Sequence, residues 1–576
     1  MRTNETTAIR LLVEYLKGEG VTHVFGIPGG ALAPFYEAVF ELGGITPVLA
    51  KHEGGAAFMA DGYARASGRL GVCCSTTGPG ATNLVTGVAC ACADSVPLLV
   101  LTAQVSTASF GKGAFQESTC HSVDIVDMFK AVTKSSVMVP SAAKTGDIVK
   151  AALRTALSGR KGPVHINFPM DLMKQAVSSC LVPPAKYRVA ASQFDRGAVI
   201  GASRELIRAK KPAILAGNGV NMSGAHEELR KLAERLGIPV ATSPAGKGAL
   251  PEDHPLSLGV FGFGASLHAE KYLLSENVDV LLVVGTSLGE ASTCGWNPGL
   301  APGRALIQID IDPGEISKNY PADHAILGDA GAALRELNFQ VERDLRAAAE
   351  LEPGPPRALA EFKKFNPRYI SPEKMYSQAV PLKPQRVIKE LQEVLPADTV
   401  LFVDAGTSVF WAFHYFSANK PGNFFVNTGF FSMGHGTAAC IGAKLARPGQ
   451  PVVALVGDGS FAMNGMEVHT AAAGGIPVVW VVLNNGGYGM IYHGEKALFG
   501  DKFTTSIFGK RLDIAGIAKG LGALAFRAQR PGEVKDRVAE ALASGRPAVV
   551  EVAVDLYEAP PMGHRNNTLE KLFVKA

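Results

Sequence analysis

Two polar clusters close the most apolar part of this sequence. Between Val452 and Met490 it reads VVALVGDGSFAMNGMEVHTAAAGGIPVVWVVLNNGGYGM, so that one apolar run ends in Gly457-Asp458-Gly459 and the next in Asn484-Asn485. A carboxylate, an amide oxygen and a backbone carbonyl such as that of Gly487 are hard oxygen donors, suited to Mg²⁺ or Ca²⁺ rather than zinc. Such a cation keeps coordination sites for phosphate oxygens, so the pattern points to a metal-bridged diphosphate. Gly457 and Gly459 let the backbone approach those oxygens, and the start of a following helix favours an anion. A lone Gly-Asp-Gly reads as no more than a strand-ending turn. With Asn-Asn one strand–helix–strand later it is specific, because neighbouring parallel strands present both clusters at one carboxyl edge.

A further acid stands near the front. Lys51-His52-Glu53-Gly54-Gly55 follows an apolar segment and precedes the helical run AAFMADGYARASG. On its own, a Glu at a helix start needs no function, since negative charge is favourable there. Taken with the Asp458 cluster it acquires one: Gly-Asp-Gly followed at this interval by Asn-Asn resembles the thiamine-diphosphate enzymes. The resemblance implies Mg²⁺ on Asp458, Asn485 and the Gly487 carbonyl, with the diphosphate against the neighbouring backbone of Gly457, Gly459 and Ser460. It implies that Glu53 hydrogen-bonds the aminopyrimidine ring and promotes the imino tautomer, whose nitrogen takes the weakly acidic thiazolium proton.

Further segments are similar to the acetohydroxyacid (acetolactate) synthase branch: VFGIPGGALAPFYEAV, HEGGAAFMADGYARASG, TTGPGATNLVTG, GAFQES, LRTALSGRKGPVHINFPMDL and FFSMGHGTAACIGAKLARP. They cover nearly the whole chain. Within them the resemblance implies cofactor contacts at Gly29, Gly78, Gly80, Asn83, Gly406, Thr407, Ser432 and Met490, and Met433 as the apolar wedge between the cofactor rings. Gln116 and His121 join Glu53 as candidate catalytic residues. His52, His435 and His493 are candidates for proton relay or for plain structural histidines.

The sequence departs from the branch in places. Ser287 and Ala291 stand where arginines are expected, Gly494 where the family has a tryptophan, and the stretch between Gln116 and Thr133 is longer. Losing a guanidinium removes a bidentate carboxylate clamp, and Trp to Gly opens volume, so a different or larger acceptor is expected. The segments AGNGV and HPLSLGVFG resemble the branch's flavin-bearing domain, but the missing arginines count against FAD; a CoA or nucleotide ligand, or an empty fold, are the alternatives.

These residues need elements to hold them. Short apolar runs ending in Gly, Pro or Ser alternate with helical patterns, which predicts an α/β chain of three doubly wound parallel-sheet domains. The expected boundaries are 1–185 (pyrimidine-binding), 195–342 (central), a Pro- and Lys-rich linker 343–385, 386–556 (diphosphate- and Mg-binding), and a tail 557–576. A length of 576 residues fits three or four domains. The 56 Lys plus Arg nearly balance 52 Asp plus Glu, which argues against an electrostatic nucleic-acid binder. Eight cysteines without a paired C-x-x-C predict neither a disulfide scaffold nor structural zinc. The N-terminal stretch lacks a signal-peptide core and no apolar run is long enough to span a bilayer, so a cytoplasmic protein without membrane partners is expected.

The expected activity is decarboxylation of a 2-oxo acid such as pyruvate with carboligation to a second carbonyl. The alternative is a decarboxylase or C–C lyase on a larger or CoA-linked substrate. A rival of another class is a non-catalytic subunit that keeps the fold; retention of Glu53, Asp458 and Asn485 argues against it. The resemblance further implies a homodimer or homotetramer, each site lying between the first block of one subunit and the third block of another.

Overall fold

The apolar runs become the inner strands of three six-stranded parallel sheets. This is seen in a computed structural model, which describes residues 4–179, 181–189, 194–275, 277–348, 357–500, 502 and 505–573. A short antiparallel pair, β1 (Asn4–Thr7) with β8 (Ala176–Ser179), ties the two ends of the first domain together.

The first sheet holds β2 (His23–Gly26), β3 (Thr46–Leu49), β4 (Gly71–Ser75), β5 (Leu98–Gln104), β6 (Ser136–Met138) and β7 (Val164–Pro169) in the order β3-β2-β4-β5-β7-β6. The third holds β15 (Val400–Val403), β16 (Phe424–Val426), β17 (Val452–Gly457), β18 (Val479–Asn484), β19 (Leu524–Ala528) and β20 (Ala548–Ala553) in the order β16-β15-β17-β18-β20-β19. Counted along the chain these are the same permutation: second strand outermost, then first, third, fourth, sixth and fifth. The two cofactor-type domains are topological copies, although no repeat is visible in their residues.

The central sheet differs. It comprises β9 (Pro212–Ala216), β10 (Val240–Thr242), β11 (Ser257–Val260), β12 (Val280–Val284), β13 (Ala305–Asp310) and β14 (His324–Leu327), ordered β11-β10-β9-β12-β13-β14. That is the dinucleotide-binding order, with its switch point between β9 and β12.

Packing divides the molecule unevenly. One apolar core runs from Phe25 and Phe58 of the first domain through to Trp480 and Val482 of the third. The central domain keeps a core of its own, from Val199 to Leu359. The shared core is closed by the helices Glu53–Ser67 and His435–Ala446, which cross backbone to backbone. A Cβ added at Gly62 would overlap the Ala439 carbonyl, and one at Gly442 would overlap the Met59 carbonyl. A buried ionic group pins the same crossing: Arg65 pairs with Asp61 at 2.5 Å and Asp94 at 2.8 Å, and His435 Nε2 lies 2.6 Å from Asp61. Burial alone would raise the Asp61 carboxyl, but Arg65 and His435 hold it down to about 2.

Between the second and third sheets the described part of the linker carries a helix at Arg357–Phe365. The terminal helix Gly563–Phe573 returns to the central domain, where Arg565 pairs with Glu290 at 2.8 Å and His564 with Glu270 at 3.2 Å. Cys73, Cys74, Cys90, Cys92, Cys120, Cys294 and Cys440 are free thiols; Cys180 lies outside the described residues. No helix among the described residues is long and apolar enough to cross a membrane.

Candidate active site

β17 and β18 are buried, Val-rich neighbours, with Gly457 in register with Leu483. Asp458 and the 485–487 turn therefore stand side by side. Asp458 opens the helix Asp458–Asn464; its Oδ2 accepts the Gly486 N–H at 2.7 Å and its Oδ1 the Gly459 N–H at 2.8 Å. Asn485 Oδ1 accepts the Gly487 N–H at 3.0 Å. The other member of the Asn pair turns inward: Asn484 Nδ2 donates to the Leu512 carbonyl at 2.8 Å and to Glu551 at 2.7 Å. Only Asn485 stays available at the edge. Burial pushes the Asp458 carboxyl up to about 6, partly opposed by backbone N–H groups of Gly486 and Gly459.

Around this acid the chain forms a cradle. Gly406, at φ +129°, leads into the helix Thr407–Tyr415, and Ser460 Oγ donates to the Ala405 carbonyl at 2.8 Å, tying the two helix starts together. A Cβ on Gly459 would lie 2.7 Å from the Tyr488 ring and 3.1 Å from the Met433 methyl, so both side chains rest on its bare Cα. Gly489 backs onto Asn485 and Thr407 in the same way. Ser432 Oγ donates to the Met433 carbonyl at 3.3 Å, and Met490 faces the central crevice. Gly457 and Gly494 both border open space.

Sequence reading missed the residue beneath this cradle. Asp404 is fully buried and accepts from Gly434 N–H (3.0 Å), Thr437 N–H (2.9 Å) and the Thr437 hydroxyl (2.8 Å), fixing the Met433 loop against β15. Its signal was an acid closing the apolar run LFVDAG, the strand beside β17.

The second cluster lies at the carboxyl edge of the first sheet. Glu53, 8% exposed, opens its helix, and Asn83 Nδ2 donates to Glu53 Oε2 at 2.9 Å. Gly80 lets the backbone reach the same carboxyl, since its Cβ would stand 3.3 Å from Glu53 Oε1 and 3.0 Å from Thr76. Gly29 packs on Thr76 from the other side. Gly78, at φ +66°, sits beside Gln116, whose carbonyl accepts the Thr77 hydroxyl at 2.9 Å. Thus Glu53, Gly29, Gly78, Gly80, Asn83 and Gln116 are gathered, while His121 of the same loop stands beside Gly111. Three other histidines have structural partners: His52 Nδ1 caps the Gly54 N–H, His435 faces Asp61, and His493 Nε2 donates to the Leu556 carbonyl.

Among the described residues no hydrogen bond or ion pair joins the Glu53 set to the Asp458 set. One chain carries two half-sites. The donor chemistry of the second fits a hard divalent cation: a carboxylate, an amide oxygen and a carbonyl, with a raised acid whose proton a cation would displace. Its glycine-lined approach and paired helix starts fit a diphosphate.

A cavity of about 680 Å³ occupies the central domain's switch point. Gly219 and Gly285 line it together with the acids Asp94, Glu290, Asp310 and Asp329; Lys161, Arg160 (paired with Asp312 and Glu315) and Arg565 (paired with Glu290) bring positive charge, and Phe410, Phe431 and Met490 of the third domain complete the wall. Ser287 and Ala291 lie in its wall.

The chain matches three family models in order: the thiamine pyrophosphate enzyme N-terminal TPP binding domain (residues 6–127), central domain (201–337) and C-terminal TPP binding domain (404–552). That order and this pair of half-sites define the thiamine pyrophosphate enzyme class. Full-length relatives narrow it. A probable acetolactate synthase large subunit of Methanocaldococcus jannaschii is 37% identical, covering 98% of this chain and 95% of the relative. The acetolactate synthase isozyme 3 large subunit of Escherichia coli K12 is 33% identical, covering 98% of each. The acetolactate synthase of Arthrospira platensis is 34% identical over 97% of this chain and 96% of the relative. The chain belongs to the acetolactate synthase family of thiamine-diphosphate-dependent enzymes.

Proposed function

We propose that this protein decarboxylates a 2-oxo acid, with pyruvate the expected donor, and joins the retained fragment to a second carbonyl. The observation that carries this reading is the pair of complementary half-sites: an acid held by Asn83 at one sheet edge, a hard-donor set with a glycine cradle at the other. When bound, thiamine diphosphate supplies the carbon nucleophile and the electron sink for loss of CO₂.

The chain's own residues do the rest. Asp458, Asn485 and the Gly487 carbonyl would hold Mg²⁺, and the backbone around Gly457, Gly459 and Ser460 would take the diphosphate. Met433, resting on Gly459, would present a firm apolar face to the coenzyme, so that positioning comes from packing. Glu53, with Asn83 fixing its Oε2, would be the acid that exchanges a proton with the aminopyrimidine ring, and Gln116 and the His121 loop would line the approach. The open space at Gly494 admits an acceptor larger than a two-carbon fragment. Because each chain offers the two halves apart, the working unit is a homodimer or a larger homo-oligomer with sites shared between chains, in the cytoplasm.

For the central crevice we read an anionic, nucleotide-bearing ligand of FAD size or smaller, with Lys161 and the backbone at Gly219 and Gly285 as its contacts. Ser287 and Ala291 leave the wall without the arginines expected for a flavin. Mass and absorbance spectra of material released on denaturation separate FAD, CoA, a simple nucleotide and none.

The activity is tested by supplying pyruvate, thiamine diphosphate and Mg²⁺, with and without a second 2-oxo acid or aldehyde, and identifying products. Acetolactate or acetoin supports ligation; acetaldehyde alone supports the simple decarboxylase.

A further inference from the structure

Glu467 is fully buried, ionisable and outside both half-sites. It belongs to the third domain, on the helix Glu467–Gly474 that directly follows the Asp458–Asn464 helix. Its carboxylate reaches across to the first domain. Oε1 accepts the His52 N–H at 2.9 Å and the Lys51 N–H at 3.0 Å, and Oε2 accepts the Lys51 N–H at 3.1 Å. The Thr470 hydroxyl donates to Oε2 at 2.7 Å and so sets the carboxylate's rotation.

Those two amides are the last before Glu53. They lie in the corner between β3 and the Glu53 helix, where no strand or helix partner would otherwise satisfy them. The geometry accounts for the second glycine of His-Glu-Gly-Gly: a Cβ on Gly55 would overlap Glu467 Oε1. A glycine inside a helix is destabilising relative to alanine, so the bare Cα serves the carboxylate and not the helix. Leaving a carboxylate buried is costly unless it is well paired. Burial does raise the Glu467 acid, while Thr470 and the Lys51 and His52 amides oppose that rise.

We infer that Glu467 is a positioning residue for the reaction: it clamps the Lys51–His52 corner and thereby fixes where the Glu53 carboxyl stands. The inference rests on the reading of Glu53 as the acid at the coenzyme. It adds that the acid's half-site is mounted on the helix pair that starts at the metal half-site of the same chain. In a dimer with shared sites, those two half-sites serve different active centres, and Glu467 joins them, beside the Thr470 hydroxyl that also reaches the Leu49 carbonyl at 3.3 Å.

Glutamine at this position keeps one acceptor oxygen and sets an NH₂ against the Lys51 N–H in place of the other, so the clamp loses its charge and its second oxygen without a change of volume. In Glu467→Gln, amide hydrogen exchange across 49–55 of the coenzyme-free full-length protein is expected to speed up by about tenfold or more, with exchange elsewhere unchanged. In the same variant kcat is expected to fall by about tenfold, with KM and the coenzyme Kd within about twofold, because a displaced acid lowers the rate and not binding. Gly55→Ala should give the same pattern, and Thr470→Val a weaker one that stands in if Glu467→Gln does not fold. Wild-type exchange rates across 49–55 in both Glu467→Gln and Gly55→Ala, or an unchanged kcat beside a loosened corner, would overturn the inference. If wild-type protein fails to bind thiamine diphosphate, the functional reading falls instead, and the exchange data still decide whether the clamp exists.

Discussion

Glu53 and Asp458 carry the heaviest demands. Glutamine at position 53 retains the Asn83 contact and the shape of the corner but cannot hold or pass a proton. Glu53→Gln should therefore lower kcat by about a hundredfold or more at unchanged melting temperature. Exchange of the thiazolium proton, followed by NMR, checks it; exchange at the wild-type rate refutes the assignment. For Asp458 the proton and the cation compete for one carboxylate. Its folded pKa of about 6 lies above the ordinary 3.8, so in metal-free protein this group favours the fold most below the lower value and loses that contribution as pH rises through 6. Mg²⁺ reverses the sign by taking the ionised form. The rise in melting temperature on adding Mg²⁺ should be full at pH 7 to 8 and shrink as pH falls through about 6. A pH-independent rise would place the metal elsewhere.

At the scale of elements the crossing of Glu53–Ser67 with His435–Ala446 is the tightest joint. Gly62→Ala or Gly442→Ala must push two backbones apart, and each is expected to cost about 2 kcal/mol or more, seen as an earlier denaturant midpoint. Which elements were legible in the sequence follows from the same burial logic. Strands enclosed on both faces, such as VVALVG and VVWVVLN, read directly as apolar runs. The edge strands of every sheet, β3 and β6, β11 and β14, β16 and β19, are not set apart by such runs. Thr46–Leu49 is mostly exposed and Ser136–Met138 only half-buried, so neither needs an unbroken apolar run. The site shows a parallel contrast. The residues we assign to ligand chemistry, Asp458, Asn485 and Glu53, announce themselves by type beside glycine. Asp404 and Glu467 act on backbone amides distant in sequence, and no local pattern encodes such a partner.

For the whole molecule, the separation of the two half-sites makes a sharp prediction. Glu53→Gln and Asp458→Ala chains should each be inactive alone. After mixing, unfolding and refolding together, a hybrid dimer holds one doubly damaged site and one intact site. Activity should return to about a quarter of wild type, since about half the dimers are hybrid and each has one working site. No recovery would mean that each chain builds its site alone.

The uneven division of the apolar interior has a practical corollary. The outer two domains are fused into one block, while the middle one keeps an interior of its own and meets the third at a buried joint, where Lys247 pairs with Glu252 and donates to the Phe413 carbonyl at 3.2 Å and His414 donates to the Ala265 carbonyl at 2.7 Å. Such a segment behaves as an exchangeable cassette. A laboratory graft of a relative's middle cassette should therefore fold on this frame when it keeps the Lys247–Glu252 pair and the Ala265 carbonyl at that joint, as the denaturant midpoint would show.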